Sequence, residues 1–217
     1  MPDVHTTRAR TATLLAVPLL LAASGTVAAP AGAATRPTGA VTCQGAGVDP
    51  GAAVRYRSER VIHAPLSTIW KLQTDVERYP SWQAGIETIE RLDHGPFAAG
   101  SAFRWTTRAP ATPTTPATTL TITSTVQQLK RHSCIRWTGP ATGGGLLING
   151  THVWDFTAVK GGVRVRTEET HTGPQVDADV PAATKILGEG LEAWLSALKS
   201  TADARSARAG HPGTSRI

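Results

Sequence analysis

The stretch VIHAPLSTIWKLQTDVERYPSW, residues 61–82, decides how the rest of the chain is read. It closes an alternating run, Val54 to Ile62, at Ala64-Pro65, where an extended strand has to turn. Pro65 suits the first turn of a helix, because its φ is already helical and its missing N–H costs no hydrogen bond there. Leu66, Ile69, Trp70 and Gln73 then recur at helical spacing. A second short helical piece, Val76 to Tyr79, must stop before Pro80, whose ring disfavours the helical conformation in the residue ahead of it. Trp82 follows that break.

Downstream the period returns to two. Ile86–Leu92 and Ser101–Thr107 read as strands, with Gly95-Pro96 marking the turn between them. Ala109 to Ala117 holds three prolines among many threonines and reads as a long, stiff hairpin loop. Leu120–Leu129 and Cys134–Thr138 are the next strands, and Gly143-Gly144-Gly145 sits in the connection to Leu146–Thr157. A two-glycine turn, Gly161-Gly162, leads into Val163–Thr170. The last element differs: Val180 to Thr201 spaces Ile186, Leu187, Leu191, Trp194, Leu195 and Leu198 three to four apart, which predicts one long amphipathic helix. The expected fold is therefore α+β, a curved seven-stranded antiparallel sheet around a long C-terminal helix, with two short helices after the first strand. Only the long helix is able to cover the sheet's apolar face.

The ends read differently from the middle. Arg8 and Arg10 precede an apolar run from Thr11 to Ala23 and a small-residue segment, which predicts a secretory signal peptide over residues 1–34. The run is too short for a permanent anchor, so no stable membrane anchor is expected and the chain is expected to be secreted or extracytoplasmic. Residues 35–52 are expected to form a flexible N-terminal segment, 53–202 the folded domain, and 203–217 a disordered basic tail. Removing Arg8, Arg10 and Asp3 lowers the formal charge from +6 to +5. The basic residues are scattered and form no recognition motif, so a nucleic-acid partner is not expected. Two cysteines remain, Cys43 and Cys134. In an exported chain they are candidates for a disulfide tying the early segment to a strand, the alternative being two free thiols. Such a bond would add up to about 4.5 kcal/mol by chain entropy.

Residues 61–70 and 75–82, followed by Trp154-Asp155-Phe156 and by Gly161-Gly162-Val163-Arg164-Val165 before Glu168 and Glu169, resemble the START-like (SRPBCC), helix-grip superfamily. The resemblance is to its polyketide cyclase/dehydrase and lipid-transport branch, and it spans Arg55 to Leu198. It implies a cavity between sheet and helix. It leaves function open, because that fold hosts carriers, cyclases, receptors and chaperone activators.

Strand parity indicates what faces the interior. His152 shares a face with Trp154 and Phe156, while Thr167, Glu169 and His171 share one with Val163 and Val165. The expected ligand walls are Trp82, Phe103, Trp105, Trp137, Trp154, Leu191 and Trp194, with His152, Glu169 and His171 as candidate acid–base groups. Alternatively, the three polar residues sit at the sheet rim, hydrogen-bonded or wet. No HExxH or paired CxxC supports a zinc site, no GxSxG elbow a hydrolase, and no glycine loop opens a helix for phosphate; no cofactor is expected. Asn149-Gly150-Thr151 matches a glycosylation sequon inside a predicted strand. Three readings follow: an exported domain binding a hydrophobic small molecule, lipid or polyketide-like; a cyclase or dehydratase using His/Glu chemistry; and a solid-cored domain binding another protein.

Overall fold

Alternating apolar residues become strands here because one face of each is buried, and the strands close on themselves from opposite ends of the chain. The structure is a computed structural model and describes residues 39–113 and 115–209. The expected signal segment, 1–34, and the tail beyond 209 lie outside the described residues. Val54–Ile62 (β1) pairs with the last strand, Gly162–Thr172 (β7). Between them come Thr88–Arg91 (β2), Ala102–Ala109 (β3), Thr118–Lys130 (β4), Cys134–Gly143 (β5) and Leu146–Val159 (β6). The sheet runs β1-β7-β6-β5-β4-β3-β2, every pair antiparallel. Leu66–Thr74 (α1) and a 3-10 turn, Val76–Ser81, follow β1, while Pro174–Ala178 (α2) and Val180–Ala209 (α3) close the domain.

The sheet bends where side chains are missing. Gly139 faces Gly150 across β5 and β6, and a Cβ on Gly139 would overlap the Thr123 carbonyl of the next strand. The β6–β7 hairpin turns on Lys160-Gly161, not on the glycine pair. Gly161 supplies the positive φ of 85°, and Gly162 is already in β7, where a Cβ would overlap the Ile62 carbonyl. The two glycines thus answer two different demands, a turn and a close approach.

Helix α3 rests on β1. Gly188 packs on the Tyr56 ring, where a Cβ would come within 2.6 Å of the ring edge. One turn on, the Glu192 carboxylate accepts hydrogen bonds from the Tyr56 and Ser58 hydroxyls and from the Arg60 guanidinium. Burial pushes the Glu192 carboxyl up, but these three donors outweigh it and hold it below its ordinary value. The sequence reading ends α3 too early. The helix runs to Ala209, so residues 203–209 are helical, not tail. Ala202 is fully buried, and Asp203 ties the last turns down through the His63 N–H and Lys199. Alanine and arginine are strong helix formers, and no Gly or Pro intervenes before Gly210.

Within the expected flexible segment, 35–52, the described residues, 39–52, are anchored to the sheet. Cys43 and Cys134 are joined by a disulfide. Val41, Cys43, Cys134 and Val153 form a small apolar cluster on the outer face of the sheet. Beside it the Val41 N–H donates to Glu168, a fully buried carboxylate also held by Arg57 and Arg55. Asp49 N–H reaches the Thr170 hydroxyl, and Arg136 Nε donates to the Gly47 carbonyl. The segment is thus a strap with apolar, covalent and charged anchors.

Candidate functional site

The antiparallel register places Glu169 between Tyr56 on one side and His152 on the other, all on the inner face. His171 follows two residues along β7 and faces the same way, so its Nε2 donates to Glu169 Oε1 at 3.2 Å. His152 Nδ1 lies 3.2 Å from the other oxygen, Oε2. One carboxylate therefore bridges two imidazoles. A carboxylate only accepts, which favours the His152 tautomer with its hydrogen on Nδ1 and leaves Nε2 to accept the Thr167 hydroxyl at 2.6 Å. The order Thr167, His152, Glu169, His171 is a continuous polar row.

Burial differs sharply along that row. His152 is 3% exposed, and burial drives its pKa down to about 4 even though Glu169 pulls the other way. Burial also pushes Glu169 upward, but the two histidines outweigh it and hold its carboxyl below the ordinary range. His171 is the outermost member, about a quarter exposed. Its Nδ1 makes no hydrogen bond with the described residues.

His171 opens onto a cavity of about 110 Å³. Its walls come from Ala109 at the end of β3 and the loop after it (Pro110, Thr112, Thr115), from Leu120, Leu146 and Ile148 on the sheet, from Gln175 and Val176 on α2, from Asp179 between the helices, and from Ala182, Ala183, Ile186 and Leu187 on α3. The lining is mostly apolar. Gly150, opposite His171 on β6, has only ordinary van der Waals contact where a Cβ would stand, 3.5 Å from Glu169 Oε1.

The residues expected to wall a cavity lie away from this one. None of Trp82, Phe103, Trp105, Trp137, Trp154, Leu191 or Trp194 lines the cavity. Trp154 is wholly buried and Trp194 nearly so, and they pack on each other with ring centroids 5.7 Å apart. Trp137 touches Phe103, His152, Trp154 and Trp194, while Tyr79 joins Trp82 to Trp194. Trp105 packs on Trp194 and donates its indole N–H to Ser124. Leu191 belongs to the apolar cluster that borders the cavity but is covered. The sequence reading missed α2, whose signal was Gly173-Pro174, a turn followed by a proline at the first helical position. It also missed Glu168, which parity alone places toward solvent.

Among the described residues no group of three or more His, Cys, Asp or Glu is arranged to hold a metal ion, and no helix is long and apolar enough to cross a membrane.

A family described as polyketide cyclase/dehydrase and lipid transport matches residues 53–203. The chain belongs to that family. Similar solved structures include a START superfamily protein from Mycobacterium smegmatis, with a TM-score of 0.56 and 15% identity over 70% of this chain and 98% of that one. The protein TTHA0849 from Thermus thermophilus gives 0.55 and 21% over 70% and 99%. The Zhui aromatase/cyclase from Streptomyces sp. R1128 gives 0.54 and 15% over 72% and 97%. At such identities the likeness concerns the helix-grip fold. Among curated proteins none matches the chain in sequence.

Proposed function

We propose that this protein is an exported START-like domain that binds a hydrophobic small molecule, lipid or polyketide-like, in the cavity beside His171. The observation that carries the reading is the cavity itself. It lies between the long helix and the sheet, its walls are mostly apolar, and its one inward-facing imidazole is braced from behind by Glu169. Apolar walls with few fixed polar groups are how small-molecule sites are built. Export is supported by the charged and apolar pattern of the first 34 residues. The test is to purify the protein from the medium or periplasm of its producing cells, extract bound small molecules, and titrate apolar fluorescent probes. An extract without ligand together with no response from any probe overturns the reading.

A second reading rests on the Glu169 bridge: an acid–base enzyme of the cyclase or dehydratase type. With Nε2–H committed to Glu169, the Nδ1 nitrogen of neutral His171 is the base left for a substrate proton. His152 has both ring nitrogens occupied and sits deeper, which suits a positioning residue better than the base it was expected to be. Turnover of a candidate substrate by His171→Ala, Glu169→Gln and His152→Ala separates the two readings. Unchanged turnover in all three removes the catalytic one.

A further inference from the structure

The cavity's polar atoms are almost all of one kind. His171 Nδ1 is a bare acceptor in the neutral ring, because the Nε2 hydrogen points at Glu169. Asp179 contributes a carboxyl group that also accepts the Ala182 N–H at the start of α3. Gln175 lines the cavity too, but its amide nitrogen is bound to the Gly145 carbonyl and its oxygen takes the Leu147 N–H. Thr112 and Thr115 bond one another. Among the described residues no lysine or arginine lines the cavity. Behind the wall stands a further negative group, Glu169.

We infer that the cavity selects apolar ligands whose head group donates hydrogen bonds, an alcohol or a protonated amine, and rejects carboxylates and phosphates. The inference rests on the binding reading above and narrows it. An anionic head entering this cavity meets acceptors and negative charge and finds no cation on its walls, so its desolvation goes uncompensated. A hydroxyl or ammonium head donates to His171 Nδ1 or to Asp179 while its apolar body covers Leu187 and Ile148.

Three probes with one apolar chain separate the possibilities: octan-1-ol, octylamine and octanoate, titrated calorimetrically into the purified protein at about pH 7.5, where the last two are cation and anion. The expected result is binding of the alcohol and the amine, with octanoate weaker by about tenfold or more. Asp179→Asn keeps a good helix cap but removes the charge. It should weaken octylamine by up to about fivefold and octan-1-ol by less, because the asparagine Oδ1 still accepts from a hydroxyl. Octanoate binding as tightly as the other two overturns the inference and leaves the binding reading standing. Octylamine binding equally to the Asp179→Asn variant and the parent removes Asp179 from it. Failure of all three probes to bind overturns the binding reading and the inference together.

Discussion

The two ends of the inner face share one sheet and one helix, yet one is packed and the other is open. At the first, α3 presents Trp194, Leu195 and Leu198 to a cluster that includes Trp137, Trp154, Phe156 and Phe103, and the rings pack on one another. At the second it presents Ala182, Ala183 and Leu187 to Leu120 and Ile148, and a cavity remains. Side-chain volume along a single helix differs between the two ends, and the polar row from Thr167 to His171 lies between them. The helix packs where it is bulky and leaves a cavity where Ala182 and Ala183 are small.

The contrast predicts unequal responses to truncation and filling. Trp154→Ala empties the middle of the packed end and should cost about 3–5 kcal/mol, read from urea denaturation. A loss below about 1 kcal/mol would mean that this end is not the stability core. The strap lies behind the packed end, since Cys134 precedes Ile135 and Val153 precedes Trp154. The Cys43→Ser/Cys134→Ser pair should therefore cost about 2–4 kcal/mol while leaving probe affinity unchanged. A variant that keeps its stability but loses affinity would reverse the assignment of the two ends.

The border should respond to acid. Folded His152 resists protonation down to about 4 against an ordinary value of 6.5, so the unfolded chain binds that proton first. Stability is intact above 6.5 and falls as pH drops through this window, by up to a few kcal/mol. Glu169, held below its ordinary 4.5, adds a loss at still lower pH. Melting temperatures at about pH 7 and pH 5 should differ more for the parent than for His152→Gln; equal differences would show that His152 does not set the acid response. The smallest stability effect belongs to the open end. Ala183→Leu adds atoms to free space and should change stability by less than about 1 kcal/mol while blocking probe binding. Undiminished binding would place the ligand elsewhere.

Much of the fold was legible because its signals are local. Pro65 and Pro80 punctuate the first helices, and period-two alternation identifies the strands. Parity also grouped His152, Glu169 and His171, since residues two apart on β7 and directly opposite on β6 must share a face. Parity says which face a side chain takes but not whether the space before it is filled. That depends on which residues of α3 lie opposite, a long-range fact, and the expected tryptophan walls stand among packed rings away from this cavity. Of the strap, only the covalent tie between Cys43 and Cys134 was legible. A Gly-rich segment gives no periodic signal, and its order comes from Glu168 and Cys134, far along the chain. Residues 203–209 were read by low hydrophobicity, when alanine's helix propensity decided the matter.

The pairing of β1 with β7 has a consequence for how the chain is made. During synthesis β1 emerges first and its partner last, so the leading strand waits as an unpaired edge while roughly a hundred residues follow. Only once residues 162–172 have left the ribosome can the sheet gain its final neighbour and Glu168 receive the strap. A nascent chain arrested before that point holds Cys134 but lacks β7, so limited proteolysis of arrested chains should show β1 becoming protected in a single late step.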